Sequence, residues 1–139
     1  MLNAIAKKVV FLSISGLVAG CAHTSSVIDR SETRTVFREI SLDQYPFFKV
    51  LLGGALREIP IKDIRMVKID PLESTVFERE IYYSAVIVLR DGSVLDQEGA
   101  NVSQGKCYIS VNNKLIGKRR GEMFRIPLEN VIQIKFEDD

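Results

Sequence analysis

The stretch Ile81-Tyr82-Tyr83-Ser84-Ala85-Val86-Ile87-Val88-Leu89-Arg90-Asp91-Gly92-Ser93-Val94-Leu95 decides the fold class. Ile81, Tyr83, Ala85, Ile87 and Leu89 alternate with Tyr82, Ser84, Val86 and Val88. Side chains of period two, rich in β-branched and aromatic types, suit a pleated surface where each packs against cross-strand neighbours. The apolar segment reaches back to Phe77, and the whole reads as strand rather than helix. Arg90-Asp91-Gly92-Ser93 is a tight turn, since Gly takes the left-handed backbone at no steric cost and Asp bonds its own backbone. Val94-Leu95 then starts the return strand.

Outward from this hairpin the same pattern continues. Val36, Ile40 and Leu42 share one parity. Phe47 to Leu52 is an aromatic and aliphatic run, Gly53-Gly54 is a two-residue turn signal, and Ala55 to Ile59 returns to Pro60. Proline has no N–H for a ladder, so it ends that strand. Gly99 to Gly105 reads as a polar loop, Lys106 to Val111 as a strand and Asn112-Asn113 as a turn. Leu115-Ile116 is ambiguous, Gly117 to Gly121 reads as a Gly-bracketed basic loop, and Met123 to Ile126 as a strand before Pro127. No segment beyond the N-terminus has a 3.6-residue apolar period, so the expectation is a mainly β, antiparallel domain with little helix.

One internal echo organises the chain. Ile59-Pro60-Ile61-Lys62-Asp63-Ile64-Arg65-Met66-Val67-Lys68-Ile69-Asp70 returns 67 residues later as Ile126-Pro127-Leu128-Glu129-Asn130-Val131-Ile132-Gln133-Ile134-Lys135-Phe136-Glu137. Pro forces the preceding residue to be extended. Asp63 or Asn130 is expected to cap one tight turn through its side chain. Ile64 or Val131 plugs that turn, and a last strand buries Val67 and Ile69, or Ile134 and Phe136. Strand, single turn, strand resembles the closing segment of SH3-like and Sm-like barrels, and the Val86–Leu95 hairpin resembles their opening. The resemblance covers roughly Tyr82 to Glu137 and implies a small antiparallel SH3-like barrel or a strongly bent sheet. Two related units are expected, 34–70 and 81–137, either as half-barrels or as one sheet with a repeated corner.

The N-terminus has a different character. Lys7 and Lys8 precede an apolar run from Val9 to Ala19. Eleven residues make about 16 Å of helix, too short to span a bilayer core and suited to the apolar region of an export signal. Leu17-Val18-Ala19-Gly20-Cys21 follows, and it resembles the lipobox of bacterial lipoproteins. The resemblance implies that Leu17, Val18, Ala19 and Gly20 are read by the signal peptidase. It further implies that Cys21 becomes the first mature residue, with a thioether-linked diacylglycerol and an acylated amine. Residues 1–20 are then a helical signal peptide, 21–33 the lipidated Cys and a polar tether containing His23, and 34–139 the β-domain. Ala22 rather than Asp after the Cys implies the periplasmic leaflet of the outer membrane.

Composition narrows the chemistry. Of 139 residues 46% are hydrophobic and 27% charged, which suits a folded chain rather than a disordered one. With one His, two Cys and no Trp, a disulfide framework and a His-rich metal site are excluded. No Ser nucleophile can be given a His base from a tether. Asp63, Asp70, Glu73, Glu78, Glu80, Asp91, Asp96 and Glu98 offer carboxylates, but no spacing selects a pair. The phosphate-loop and dinucleotide motifs are lacking as well. Removal of residues 1–20 takes Lys7 and Lys8 and no acid, leaving 17 basic and 18 acidic residues, so nucleic acid is not expected as a partner. Cys107 shares parity with Ile109 and Val111 and reads as a buried apolar residue.

Lys114, Lys118, Arg119 and Arg120 are either a solvated hairpin tip or a contact for an anionic partner. Tyr45, Phe47, Phe48 and Phe77 are core residues or an exposed apolar patch. The expectation is a non-enzymatic envelope lipoprotein, attached to the membrane by lipid on Cys21 and needing no other cofactor. It would act as a binding, adaptor or structural module toward an envelope protein or polymer. The alternatives are a binder of a small ligand or anionic envelope polymer and, less favoured, an Sm-like nucleic-acid module.

Overall fold

A computed structural model describes residues 24–95 and 106–137. Among them are twelve strands and two single-turn 3₁₀ helices. The strands are β1 (Ser25–Asp29), β2 (Arg34–Phe37), β3 (Glu39–Leu42), β4 (Phe47–Leu52), β5 (Ala55–Pro60) and β6 (Ile64–Phe77). They continue as β7 (Glu80–Leu89), β8 (Val94–Leu95), β9 (Cys107–Ser110), β10 (Lys114–Arg119), β11 (Glu122–Pro127) and β12 (Val131–Phe136). The 3₁₀ turns are Ile61–Asp63 and Leu128–Asn130. The fold is mainly β and every strand pair is antiparallel.

One sheet has the order β2-β1-β12-β6-β7-β9-β4-β5, with β8 also pairing β7. A second has the order β11-β10-β3. β2 and β5 end the first sheet without pairing each other, so the expected closed barrel is not formed. The core draws on both sheets. It holds Phe37, Phe48, Val50, Ile64, Val67, Ile87, Ile109, Leu115, Leu128, Val131 and Ile134, each at most 1% exposed. Cys107 is fully buried beside them, as its strand parity predicts.

The echo is a structural repeat. β4, β5 and the turn Ile61–Asp63 map onto β10, β11 and Leu128–Asn130 at the same offset of 67 residues. The hairpin registers agree: Phe47 pairs Pro60 as Lys114 pairs Pro127, and Leu52 pairs Ala55 as Arg119 pairs Glu122. β6 and β12 pair with each other, Val67 opposite Ile134, with Lys68 opposite Gln133 and Met66 opposite Lys135. A repeat whose equivalent residues meet in this way has a two-fold axis through the pair, the geometry of an isologous contact made inside one chain. Each of the two strands also carries a bulge at the equivalent place, Ile64/Met66 and Val131/Gln133.

The units do not follow the chain as 34–70 and 81–137. β3 pairs β10, and β9 pairs β4, so each sequential unit gives a strand to the other. One unit is therefore 47–110, and the other joins 25–42 to 114–137 around it. Neither link, 43–46 or 111–113, holds a tight hairpin turn, so the chain crosses over instead of folding back. The tether also needs correction, because residues 25–29 are a strand. β1 lies between β12 and β2, and Ser25, Ser26 and Val27 are buried. Two serines masked its apolar character.

β1 and β2 are the counterpart of the Asp91-Gly92 hairpin, at an offset of 60 residues. Arg30 donates its N–H to the carbonyl of Asn130 at 2.9 Å, as Arg90 does to Asp63 at 2.9 Å. Glu32 takes the left-handed backbone (φ 65°) where the other hairpin has Gly92 (φ 94°). Asp29 carries the cost of that substitution, its Oδ1 accepting the N–H groups of Ser31 and Thr33. Asp63 and Asn130 do not cap their turns through side chains; the N–H of Ile64 or Val131 closes each onto the first turn residue.

Candidate functional site

An open cleft of about 450 Å³ lies where the crossing links meet the turn between β6 and β7. Gln44 from one link and Val111, Asn112 and Asn113 from the other form one wall. Arg79, Glu80 and Ile81 form the second, and Lys114, Pro127 and Glu129 close the end.

Local chemistry accounts for each wall. β6 continues past Asp70, where its partner in the repeat ends, through a bulge between Asp70 and Ser74 that accommodates Pro71. Asp70 Oδ1 accepts the Leu72 N–H at 3.0 Å and holds that bulge. The resulting arm turns on Glu78 and Arg79, both left-handed at φ 49° and 69°. Two left-handed residues match the right-handed twist of a hairpin, but side chains other than Gly pay a steric cost there. Lys106 Nζ meets Glu73 Oε2 at 2.9 Å and the Tyr108 hydroxyl donates to the same oxygen at 3.2 Å, stapling the arm to β9. The Lys106 hydrogen bond holds Glu73 below the usual carboxylate range, and Glu73 in turn raises Lys106.

Asn113 joins the two links. Its Oδ1 accepts the N–H of Gln44 at 2.8 Å and of Lys114 at 2.9 Å. Its Nδ2 donates to the Tyr45 carbonyl at 3.4 Å, and its own carbonyl accepts the Leu128 N–H at 3.0 Å. Asn113 is 9% exposed, so these groups have few competing waters.

Below the cleft Glu80 is paired with Lys49, which reaches Oε2 at 2.8 Å and also bonds Oε1. Both side chains are 16% exposed, and a charge that far from water needs its partner. The Lys49 ammonium lies 4.7 Å over the Tyr45 ring, which stacks on Phe47 at 5.6 Å. Burial pushes Lys49 down, but the hydrogen bond and charge of Glu80 outweigh it and hold Lys49 above the ordinary lysine value. Burial and then Glu80 push the Tyr82 hydroxyl up. Tyr45, Phe47, Phe48 and Phe77 thus form two groups: Phe48 is core, while the others frame this pair and Tyr82.

The predicted basic group is divided. Lys114 starts β10 and borders the cleft; Lys118 and Arg119 end that strand, and Arg120 sits left-handed (φ 52°) in the turn to β11. The expected loop at Gly117 is strand instead. Gly117 is required there because a Cβ would lie 2.5 Å from Phe37 Cγ. Leu17, Val18, Ala19, Gly20 and Cys21 lie outside the described residues, as do Asp96, Glu98 and the loop Gly99–Gly105. Among the described residues no three His, Cys, Asp or Glu side chains are grouped to hold a metal ion. Arg79, Glu80 and Glu129 were not singled out together by spacing, since they converge only through the exchanged strands.

The lining offers two cations, two carboxylates and three amide side chains around Ile81 and Val111. Groups of these types can pair with the charges and backbone amides of an extended chain. No protein-family model matches the chain, and no curated protein matches it.

Proposed function

We propose that the chain is a lipid-anchored, non-enzymatic binding module of a bacterial cell envelope, facing the periplasm from the outer membrane. The observation that carries this reading is Leu17-Val18-Ala19-Gly20-Cys21 placed directly after Lys7, Lys8 and the apolar run. Several acyl chains at Cys21 give stable attachment, because each buried methylene contributes about 0.8 kcal/mol. The first described strand starts four positions later, which suits a domain held close to its anchor.

The cleft supports binding as the work of that domain. Arg79, Glu80, Lys114 and Glu129 line an opening sized for a few residues of peptide or a polymer segment. An envelope protein is the favoured occupant, because both signs of charge line the cleft. A purely anionic polymer would meet the two carboxylates as well as the two cations.

Intact mass of the protein from cells tests the anchor. A chain starting at Cys21 and heavier by a diacylglycerol and an acyl group is expected, and Cys21→Ala leaves the chain unprocessed. A mass equal to residues 1–139 overturns the anchor. Cross-linking of intact cells through a photoreactive group at Asn112 tests the cleft. One recurrent envelope protein, lost on Arg79→Glu, is expected; unchanged capture in that variant removes the cleft from the binding.

A further inference from the structure

The basic tip of β10 and β11 lies next to the point where the described chain begins. Ser25 pairs Phe37 across one strand spacing, and the following residue, Arg38, donates its N–H to the Lys118 carbonyl at 2.9 Å. Thr24 is tied to the same end through its carbonyl, which accepts the Glu137 N–H at 3.1 Å. From Cys21 to Thr24 is three residue steps, no more than about 11 Å of chain. A lipid on Cys21 therefore holds this end of the molecule at the bilayer surface. The step rests on the lipid reading of Cys21.

What this end exposes fits a membrane. Arg38, Lys118, Arg119 and Arg120 are exposed, against three exposed acids, Glu39, Glu122 and Glu137. Glu39 is 3.6 Å from Lys118, so these two charges largely cancel at long range and the excess lies with Arg38, Arg119 and Arg120. Met123, opposite Lys118, is 57% exposed, and Phe124, on the other face of the strand, is 37% exposed with its ring 5.8 Å from that of Phe37. Cations above exposed apolar side chains are the composition of a surface that sits in the headgroup layer, the charges meeting phosphates and the apolar groups the acyl boundary.

We propose that Arg38, Lys118, Arg119, Arg120, Met123 and Phe124 form a membrane-facing surface that lies against anionic lipid as a second attachment beside the Cys21 lipid. This contact fixes orientation. Lys114 and Glu129 border the cleft at the other end of β10, roughly 15 Å along the strand. Glu129 is also next to Asn130, which bonds Arg30 just past the far end of β1. With the basic tip on the bilayer, the cleft opens away from it.

Full-length protein is reconstituted into phosphatidylcholine vesicles with or without about a third phosphatidylglycerol, and exposed lysines are modified with a water-soluble amine reagent. Site-resolved mass spectrometry reads the rates, with Lys114 as the control on the same strand. With anionic lipid Lys118 is expected to react at least about five times more slowly than in detergent, and Lys114 at an unchanged rate. Protection shrinks in about 0.5 M salt, where charge interactions reach only a few ångströms. It is lost in Arg119→Glu/Arg120→Glu, whose thermal midpoint stays that of the parent. Equal protection of Lys118 and Lys114 in anionic vesicles overturns the proposal. The same spectra report the mass at Cys21. An acylated chain with Lys118 unprotected keeps the anchor and rejects the face, whereas an unacylated chain with Lys118 protected does the reverse.

Discussion

The hairpins β4–β5 and β10–β11 have one length, one register and one left-handed turn, yet opposite surfaces. The first closes on Leu51-Leu52-Gly53-Gly54 and the second on Lys118-Arg119-Arg120-Gly121. Gly53 and Arg120 share nearly the same φ, 59° and 52°, and so do Gly54 and Gly121, 83° and 80°. The difference lies in what each hairpin meets. Leu51 and Leu52 are opposite Tyr108 and Cys107 of β9 and are buried. β10 has β3 beside it, and that pairing stops at Glu39 opposite Lys118, so Arg119 and Arg120 project beyond it. Backbone symmetry sets where a turn falls, and the exchanged strand decides whether its end is core or surface.

The position with the largest expected effect is Gly117, whose counterpart is the buried Val50. Gly117→Val drives side-chain atoms into the Phe37 ring and is expected to cost more than about 3 kcal/mol, read as a urea midpoint shift. Combined with Phe37→Ala, itself costing about 3–5 kcal/mol, the pair should cost clearly less than the sum. Additive costs would mean that the two units do not differ at this contact.

Asn113 has Pro46 as its counterpart, so one link carries the clamp for both. Asn113→Ala leaves the Gln44 and Lys114 N–H groups without their acceptor and is expected to cost about 2–3 kcal/mol in chemical denaturation. A cost under about 0.5 kcal/mol would show that the links hold without it.

The Lys49–Glu80 pair belongs to one unit only, since Lys49 corresponds to Ile116. Its folded lysine value is raised, so its contribution is complete below the unfolded value near pH 10.4 and is lost as pH rises through the folded one. Lys49→Met is expected to remove about 1.5–3 kcal/mol at neutral pH and to flatten the alkaline limb of the stability curve. Asp29, Glu73 and Asp91 have lowered values, so what they contribute is present above about pH 4 and lost as pH falls through their folded values. Stability of Lys49→Met measured against pH should keep that acid limb intact.

The smallest effects test single residues against their counterparts. Ser26 Oγ is buried without a hydrogen-bond partner, and the equivalent position is Val86. Ser26→Val is expected to stabilise by about 1 kcal/mol. Arg120→Gly copies Gly53, relieves the left-handed strain and should raise stability by about 0.5–1 kcal/mol while weakening protection of Lys118 by anionic vesicles.

Much of this was legible in the chain. The alternation from Ile81 to Leu89, the turn pairs at Gly53-Gly54 and Asp91-Gly92, and the Ile-Pro echo each locate an element. These signals are local: proline lacks a donor, glycine accepts positive φ, and alternation marks a half-buried strand. β1 escaped because its two buried residues before Val27 are serines, and the end of β6 because Pro71 interrupts it. Lys114 was grouped with Lys118, Arg119 and Arg120 by sequence distance, although a strand separates its two ends by its full length.

The sequence alone determined a mainly β chain, two related corners, the burial of Cys107, and a lipobox-like start whose consequences rest with Cys21. The tertiary structure decided which strands pair. β3 and β9 each lie against the other unit, and that exchange builds the cleft from Gln44, Arg79, Lys114 and Glu129 and brings the basic tip beside Ser25. Pattern specifies which face of a strand is apolar, but many partners satisfy an apolar face. The choice among them is made by links that hold no hairpin turn and by contacts such as Gly117 against Phe37, which exist only once the whole chain has packed.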